Sequence, residues 1–217
     1  YTGLLSEVSL STGNNIYSPL SLSKPELNLN SLGLSDDATK LVFQADSFTS
    51  EGLREKSAFY SIDKPLESDS TAVNVKSDFI LDFSPVIGSS DMESNICYSD
   101  ETNNHILVFD STTNTTSTLL DLSSYPEVKG NVGSIACHLT EDLIFISNSQ
   151  TNLIYKLNMN QPPALSISPV NKGSGIPLGR ADSIYYDANK RVILHTNAEE
   201  IVVIDVESGD RAFLYKN

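Results

Sequence analysis

Hydrophobic residues in this chain come in short runs parted by polar turns. The pattern is clearest over 181–217, which reads ADSIYYDANKRVILHTNAEEIVVIDVESGDRAFLYKN. SIYY, RVIL, IVVID and RAFLY are rich in Val, Ile, Tyr and Phe, and DANK, TNAEE and ESGD separate them. Runs of this kind between Asn, Asp and Gly turns predict four strands of an antiparallel meander. In the last turn, Gly209 can take the positive φ that a tight hairpin demands. Such a meander has two apolar faces and cannot bury both alone, so it needs copies of itself.

The rest of the chain supplies them. The residue that closes the third strand recurs as Ser9, Ser61, Asp110, Lys156 and Asp205, at spacings of about 52, 49, 46 and 49, near the period of propeller blades. Second strands keep the same beat: KLVFQAD ends at Asp46, NICYSD at Asp100, DLIFISN at Asn148 and RVILHTN at Asn197. First strands are expected in SLGLS, FILDF, SIACHL and SIYY. The expected fold is therefore all-β: a β-propeller of four-stranded antiparallel blades, forming one domain over 1–217. Four complete blades are expected over 31–76, 78–122, 132–169 and 181–217. They follow a leading half blade over 1–20, in which LLSEVSL and NNIYSPL stand as third and fourth strands. Nothing at the end of the sequence completes that half blade, so the ring is expected to be incomplete or open. Its unpaired edge is a template for self-association through the N-terminal strand. A β-sandwich would use similar strands. The even period, without a long Greek-key crossover, favours radial repetition.

Leu34-Ser35-Asp36-Asp37-Ala38-Thr39-Lys40-Leu41-Val42-Phe43, with SAFYSID after it, resembles the WD40-like propeller repeat of the TolB family. Asp36-Asp37 stands where Pro-Asp is usual, and Ala38 where Gly is usual. DANKRVIL…VIDVESGD and TEDLIFISNSQTNLIYKLNMN are similar to blades of the NHL and SMP-30 propellers. Resemblance to TolB implies a periplasmic or exported propeller that binds proteins or peptides.

Charge narrows the partners. The formal net charge is −14 over 217 residues, a surface that repels nucleic-acid phosphates and anionic membranes. No apolar run approaches the roughly 18 residues of a membrane span. The plain reading of the charge is solubility. Cys97 and Cys137 each sit inside an apolar run and read first as buried free thiols. A disulfide between neighbouring sheets is the alternative, and it needs Cα atoms about 4.4–6.8 Å apart.

Propeller ligands sit at the mouth of the central channel, among loops that lead into the innermost strands. If the SIYY-type runs are innermost, the candidates are Asp78, Asn131, Arg180 and Asp182. The plain alternative is that each caps a turn or faces solvent. The metal-dependent lactonases of the SMP-30 group offer a rival reading: a hydrolase with a divalent cation, such as calcium, on a carboxylate–amide cluster. Asp46, Asp100, Asn148 and Asn197 are the matching residue types, but they share one repeat position. Recurrence in every blade points to a turn role. His105, His138 and His195 have no local partner pattern for a general base. No G-x-S-x-G occurs, and Gly173-Ser174-Gly175 lacks the helix of a phosphate loop. Asn114-Thr115-Thr116 is a glycosylation sequon on an expected surface turn. The expected function is a non-enzymatic binding module for a protein or peptide.

Overall fold

The computed structural model describes residues 4–5, 20–21, 27–35, 40–48, 54–63, 73–79, 87–90, 95–100, 102–110, 112–163 and 167–216, and side chains from residue 95 onward. The leading pair is β1 (Leu4–Leu5) and β2 (Leu20–Ser21), which run antiparallel. The first meander is β3 (Leu27–Ser35), β4 (Lys40–Phe48), β5 (Arg54–Asp63) and β6 (Val73–Phe79). The second is β7 (Ile87–Ser90), β8 (Asn95–Asp100), β9 (His105–Asp110) and β10 (Thr115–Asp121). The third is β11 (Val132–His138), β12 (Leu143–Asn148), β13 (Ile154–Asn158) and β14 (Ile167–Pro169). The fourth is β15 (Ser183–Asp187), β16 (Val192–Thr196), β17 (Glu200–Asp205) and β18 (Arg211–Lys216).

In each meander the strands pair in sequence order. The four first strands lie in succession. β3 pairs in parallel with β7 through Leu34–Ser89 and Ser35–Ser90, which merges the first two meanders into one eight-stranded sheet. β11 lies against β7 and β15, and the Ile184 backbone N–H donates to Ser134 Oγ at 3.0 Å between them. The first strands are therefore the inner ones, as a propeller requires.

Two expectations are corrected. FILDF is not the first strand of the second blade. Its Phe79 closes β6, and the first strand is Ile87–Ser90. Apolar content misled here, because parallel pairing with β3 places a Gly-Ser-Ser strand that carries little apolar pattern of its own. Nor are the cysteines free. Cys97 on β8 and Cys137 on β11 form a disulfide with Cα atoms 6.4 Å apart. Both are buried, and the bond ties the second blade to the third.

Burial follows the pleat. On β12, Ile144 and Ile146 join Cys97, Ile106, Ile135 and Leu157 on one side. Leu143 and Phe145 join Ile184, Tyr186, Ile193, Val202 and Ile204 on the other. β12 is thus buried along its whole length, as expected of a strand between two neighbouring sheets. The turns repeat as well. Gly209 has φ of 73° and Asn114 has 54°, the conformation the turn pattern called for. Gly173 touches the last hairpin so closely that a Cβ there would lie 2.4 Å from the Gly209 carbonyl carbon. The link around it is held by Ser174, whose N–H and hydroxyl both donate to Asp210 Oδ1 at 2.7 and 2.8 Å. Gly173-Ser174-Gly175 is therefore an inter-blade clamp.

Candidate binding face

The loops that enter β11 and β15 lie at one end of two parallel inner strands. Asn131 directly precedes β11 and is half-buried. Its carbonyl accepts from the Ser149 N–H at 2.9 Å, and its amide donates to Lys129 O at 3.1 Å. Arg180 and Asp182 flank buried Ala181, just ahead of β15, and both are exposed. The Asp182 N–H donates to Thr196 O at 2.8 Å, which fixes the backbone and leaves the carboxylate facing water. Beneath this loop sits His195, 1% exposed. Its Nε2 donates to Gly179 O at 3.3 Å, so the neutral ring carries its proton there. Its Nδ1 has no partner among the described residues. Burial holds the imidazole below its usual pKa, against the pull of the Glu200 and Asp182 carboxylates. His195 is therefore a buried prop for the Arg180–Asp182 loop.

Asp78 is elsewhere. It lies inside β6, the last strand of its meander, and not ahead of an inner strand. The structure brings Asn131, Arg180 and Asp182 to the entry side of the inner strands and does not bring Asp78 with them. The cause is the displaced start of the second blade.

The recurring Asx position has one task wherever its side chain is described. Asn148 Oδ1 accepts from the N–H groups of Gln150 and Thr151 at 2.8 and 2.9 Å, and its Nδ2 donates to Glu127 O at 2.7 Å. Asn197 Oδ1 accepts from Glu199 and Glu200 at 3.0 and 3.1 Å. Asp100 accepts from Asn103 through both oxygens, at 3.1 and 2.8 Å. Asp46 lies in β4, and its side chain is outside the described residues. Asp110 and Asp205 close third strands in the same manner, and the N–H and hydroxyl donors of their turns hold both carboxyls below the usual range. These oxygens are engaged in turns, and no cluster of metal-ligating type occurs among the described residues.

At the opposite end of the inner strands lies a network that the sequence did not announce. His138 ends β11, and Thr140 Oγ1 and Glu141 Oε2 lie 3.1 and 3.9 Å from its Nδ1. The expectation that His138 lacks a local partner is thus corrected. The Tyr186 hydroxyl, from the next blade, donates to Glu141 Oε2 at 3.2 Å, and its ring meets His138 edge-on at 5.5 Å. Burial, then the Glu141 charge, pushes the Tyr186 phenol up. Arg191 grips Glu207 nearby through Nε and Nη2 at 3.1 and 2.9 Å. Only Thr140 and Glu141 lie close to His138 in sequence, so spacing along the chain could not find the rest. His105 opens β9 opposite Asp100 and Asp121, a cross-strand position.

No family model and no curated protein matches the chain. Solved structures do. A chain of the crystallised nidogen/laminin complex is similar over 98% of this chain and 74% of its own length, with TM-score 0.64 and 12% identity. TolB from Acinetobacter baumannii is similar over 92% of this chain and 46% of its own, with TM-score 0.57 and 15% identity. Regucalcin from Agrobacterium tumefaciens, described as a calcium-binding protein, is similar over 93% of this chain and 61% of its own, with TM-score 0.50 and 12% identity. The chain thus spans under two thirds of the last two. At such identity the likeness bears on fold, and together with the paired meanders it identifies this chain as a β-propeller.

Proposed function

We propose that this chain is a non-enzymatic propeller module that recognises a protein or peptide through the loops entering its inner strands. The observation that carries the reading is the Arg180–Asp182 loop. It holds one exposed cation and one exposed anion on a backbone fixed from below by His195 and Thr196. Pre-positioned polar groups on a rigid scaffold suit recognition, because little ordering entropy remains to oppose binding. The buried hydroxyls nearby are tied to the scaffold: Ser147 donates to Ser134 O at 3.4 Å, and Ser134 accepts from Ile184. Similar folds include a chain crystallised in a complex between two proteins, which supports a binding role by analogy of fold alone. A periplasmic or extracellular site of action fits the Cys97–Cys137 bond, since disulfides persist in oxidising compartments.

The test is direct. Proteins captured from an exported-protein extract are purified and titrated against the chain. The Asn131→Ala, Arg180→Ala, Asp182→Ala triple variant should bind at least about tenfold more weakly, about 1.4 kcal/mol. Asp78→Ala, placed in β6, should bind as the parent does. A triple variant that keeps full affinity while folded would remove this face from the account.

A further inference from the structure

Nδ1 of His195 is the one buried side-chain polar atom without a hydrogen-bond partner among the described residues. On β16 the ring stands between its cross-strand neighbours Ile184 of β15 and Val202 of β17, and all three are buried. The third blade brings Ser134 and Ser147 to this level, since Ser134 Oγ accepts the Ile184 N–H and the two serines pair across β11 and β12. Neither serine titrates. The charged groups stand further out. The loop ahead of β15 carries Arg180 and Asp182, β17 carries Glu200, and β18 sets Lys216 opposite Glu200. Asp182 is exposed, and the Asn197 amide holds Glu200 at 3.3 Å.

One hydrogen bond joins the ring to the loop. Gly179 O has no proton to give, so Nε2–H donates to it at 3.3 Å, and the neutral ring keeps a bare lone pair on Nδ1. A second proton changes the balance. Its Nδ1–H would carry charge between Ile184 and Val202 with no acceptor in reach, and a buried charge without a partner is costly. The cost is removed when the ring leaves its seat, and to leave it must let go of Gly179. Gly179, Arg180, Ala181 and Asp182 are consecutive, so what frees the ring frees the loop. A second tie, from the Asp182 N–H to Thr196 O at 2.8 Å, ends on the residue next to His195.

We propose that His195 is an acid-released latch on residues 179–182: the neutral ring holds this segment on the fourth blade, and a second proton on the ring lets it go. Its consequence for binding rests on the reading of this loop as the recognition face. On that reading, a partner taken up at neutral pH is released in acid. The latch itself stands on the geometry of the ring and not on any partner. A ring that gains its proton only when loose titrates near its ordinary value of about 6.5. Between pH of about 7.5 and about 5.5, the loosened population then rises by up to about tenfold.

Hydrogen exchange on the whole chain, corrected for the intrinsic pH dependence of amides, tests the latch with no partner present. Its outcome is therefore separate from that of the binding test above. Local opening is read directly as lost protection. The amides of 179–182 should lose protection by several-fold, up to about tenfold, between those pH values, while β12 keeps its own. His195→Gln retains an N–H for Gly179 O and cannot titrate, so its loop should stay protected at both values. The ring proton signals of His195, followed by nuclear magnetic resonance in the parent, keep the test decisive where glutamine fills the seat badly: loss of protection must track protonation of the ring. The inference is overturned if the parent's loop stays protected while the ring titrates, or if His195→Gln loses protection between the two pH values as the parent does. It is also overturned if β12 loosens equally, since the ring would then act on the whole fold and not on the loop.

Discussion

The third and fourth blades read almost alike in sequence and differ in burial. DLIFISN and RVILHTN both alternate large aliphatics with a polar end. β12 is buried at every position, whereas β16 alternates buried with half-buried residues. The difference comes from neighbours. β12 lies between two sheets, with Ile144 and Ile146 on one side and Phe145 on the other. On β16, Ile193 and His195 are buried on the side of the third blade, while Val192 and Leu194 on the other side are half-buried. An apolar strand pattern states what a face is fit for, and the arrangement of sheets states whether it is covered.

The largest expected contrast lies between a fully buried position of the third blade and a half-buried one of the fourth. Ile146→Ala removes a fully buried side chain and should cost about 2–4 kcal/mol by denaturant titration. Val203→Ala at a half-buried position should cost under about 1 kcal/mol. Equal losses would break the comparison. Next comes the covalent tie on the third blade's other side. Cys97→Ser with Cys137→Ser opens a cross-link between residues 40 apart and should lower stability by about 2–4 kcal/mol. An unchanged unfolding midpoint under reducing conditions would show that packing alone holds the second blade to the third.

A smaller, pH-dependent effect belongs to the fourth blade. Folding holds His195 below its usual pKa through burial, outweighing the Asp182 and Glu200 carboxylates. The unfolded chain takes its proton near pH of about 6.5. Stability that rests on the neutral ring is therefore complete above that pH and is lost as pH falls below it, toward the folded pKa. The parent should lose more melting temperature between pH of about 7.5 and about 5.5 than His195→Gln does. Parallel curves would show that the ring is not the titrating group. The smallest effect is expected from Arg191–Glu207, whose partners are both exposed. A double-mutant cycle should return a coupling of about 0.2–1 kcal/mol that fades with salt.

The strand repeat was legible in the sequence because second and third strands run into short polar residues that begin the next turn. Asn148, Asn197, Asp110 and Asp205 all accept backbone N–H groups of the turn that follows. A local hydrogen bond leaves a local signature. The contacts that set one blade on another left none. Cys97 and Cys137 come together because β8 and β11 are neighbours, and Tyr186 reaches Glu141 across 45 residues. The start of the second blade was misread because Ile87–Ser90 is placed by pairing with β3 rather than by its own apolar content. Asp78 dropped from the entry loops for that reason, while Asn131, Arg180 and Asp182 kept their places. The role of His195 as a prop was hidden, since its acceptor, Gly179 O, lies 16 residues back in the chain.

One pair of variants tests the central claim most directly. Phe145 and Leu194 share one repeat position, one fully buried against the next blade and one half-buried. A lysine at Phe145 would leave a charge buried without a partner, and Phe145→Lys should abolish cooperative folding. A lysine at Leu194 can reach water, and Leu194→Lys should melt within a few degrees of the parent. A loss of folding in Leu194→Lys equal to that in Phe145→Lys would contradict the account, because Leu194 would then be as deeply enclosed as Phe145.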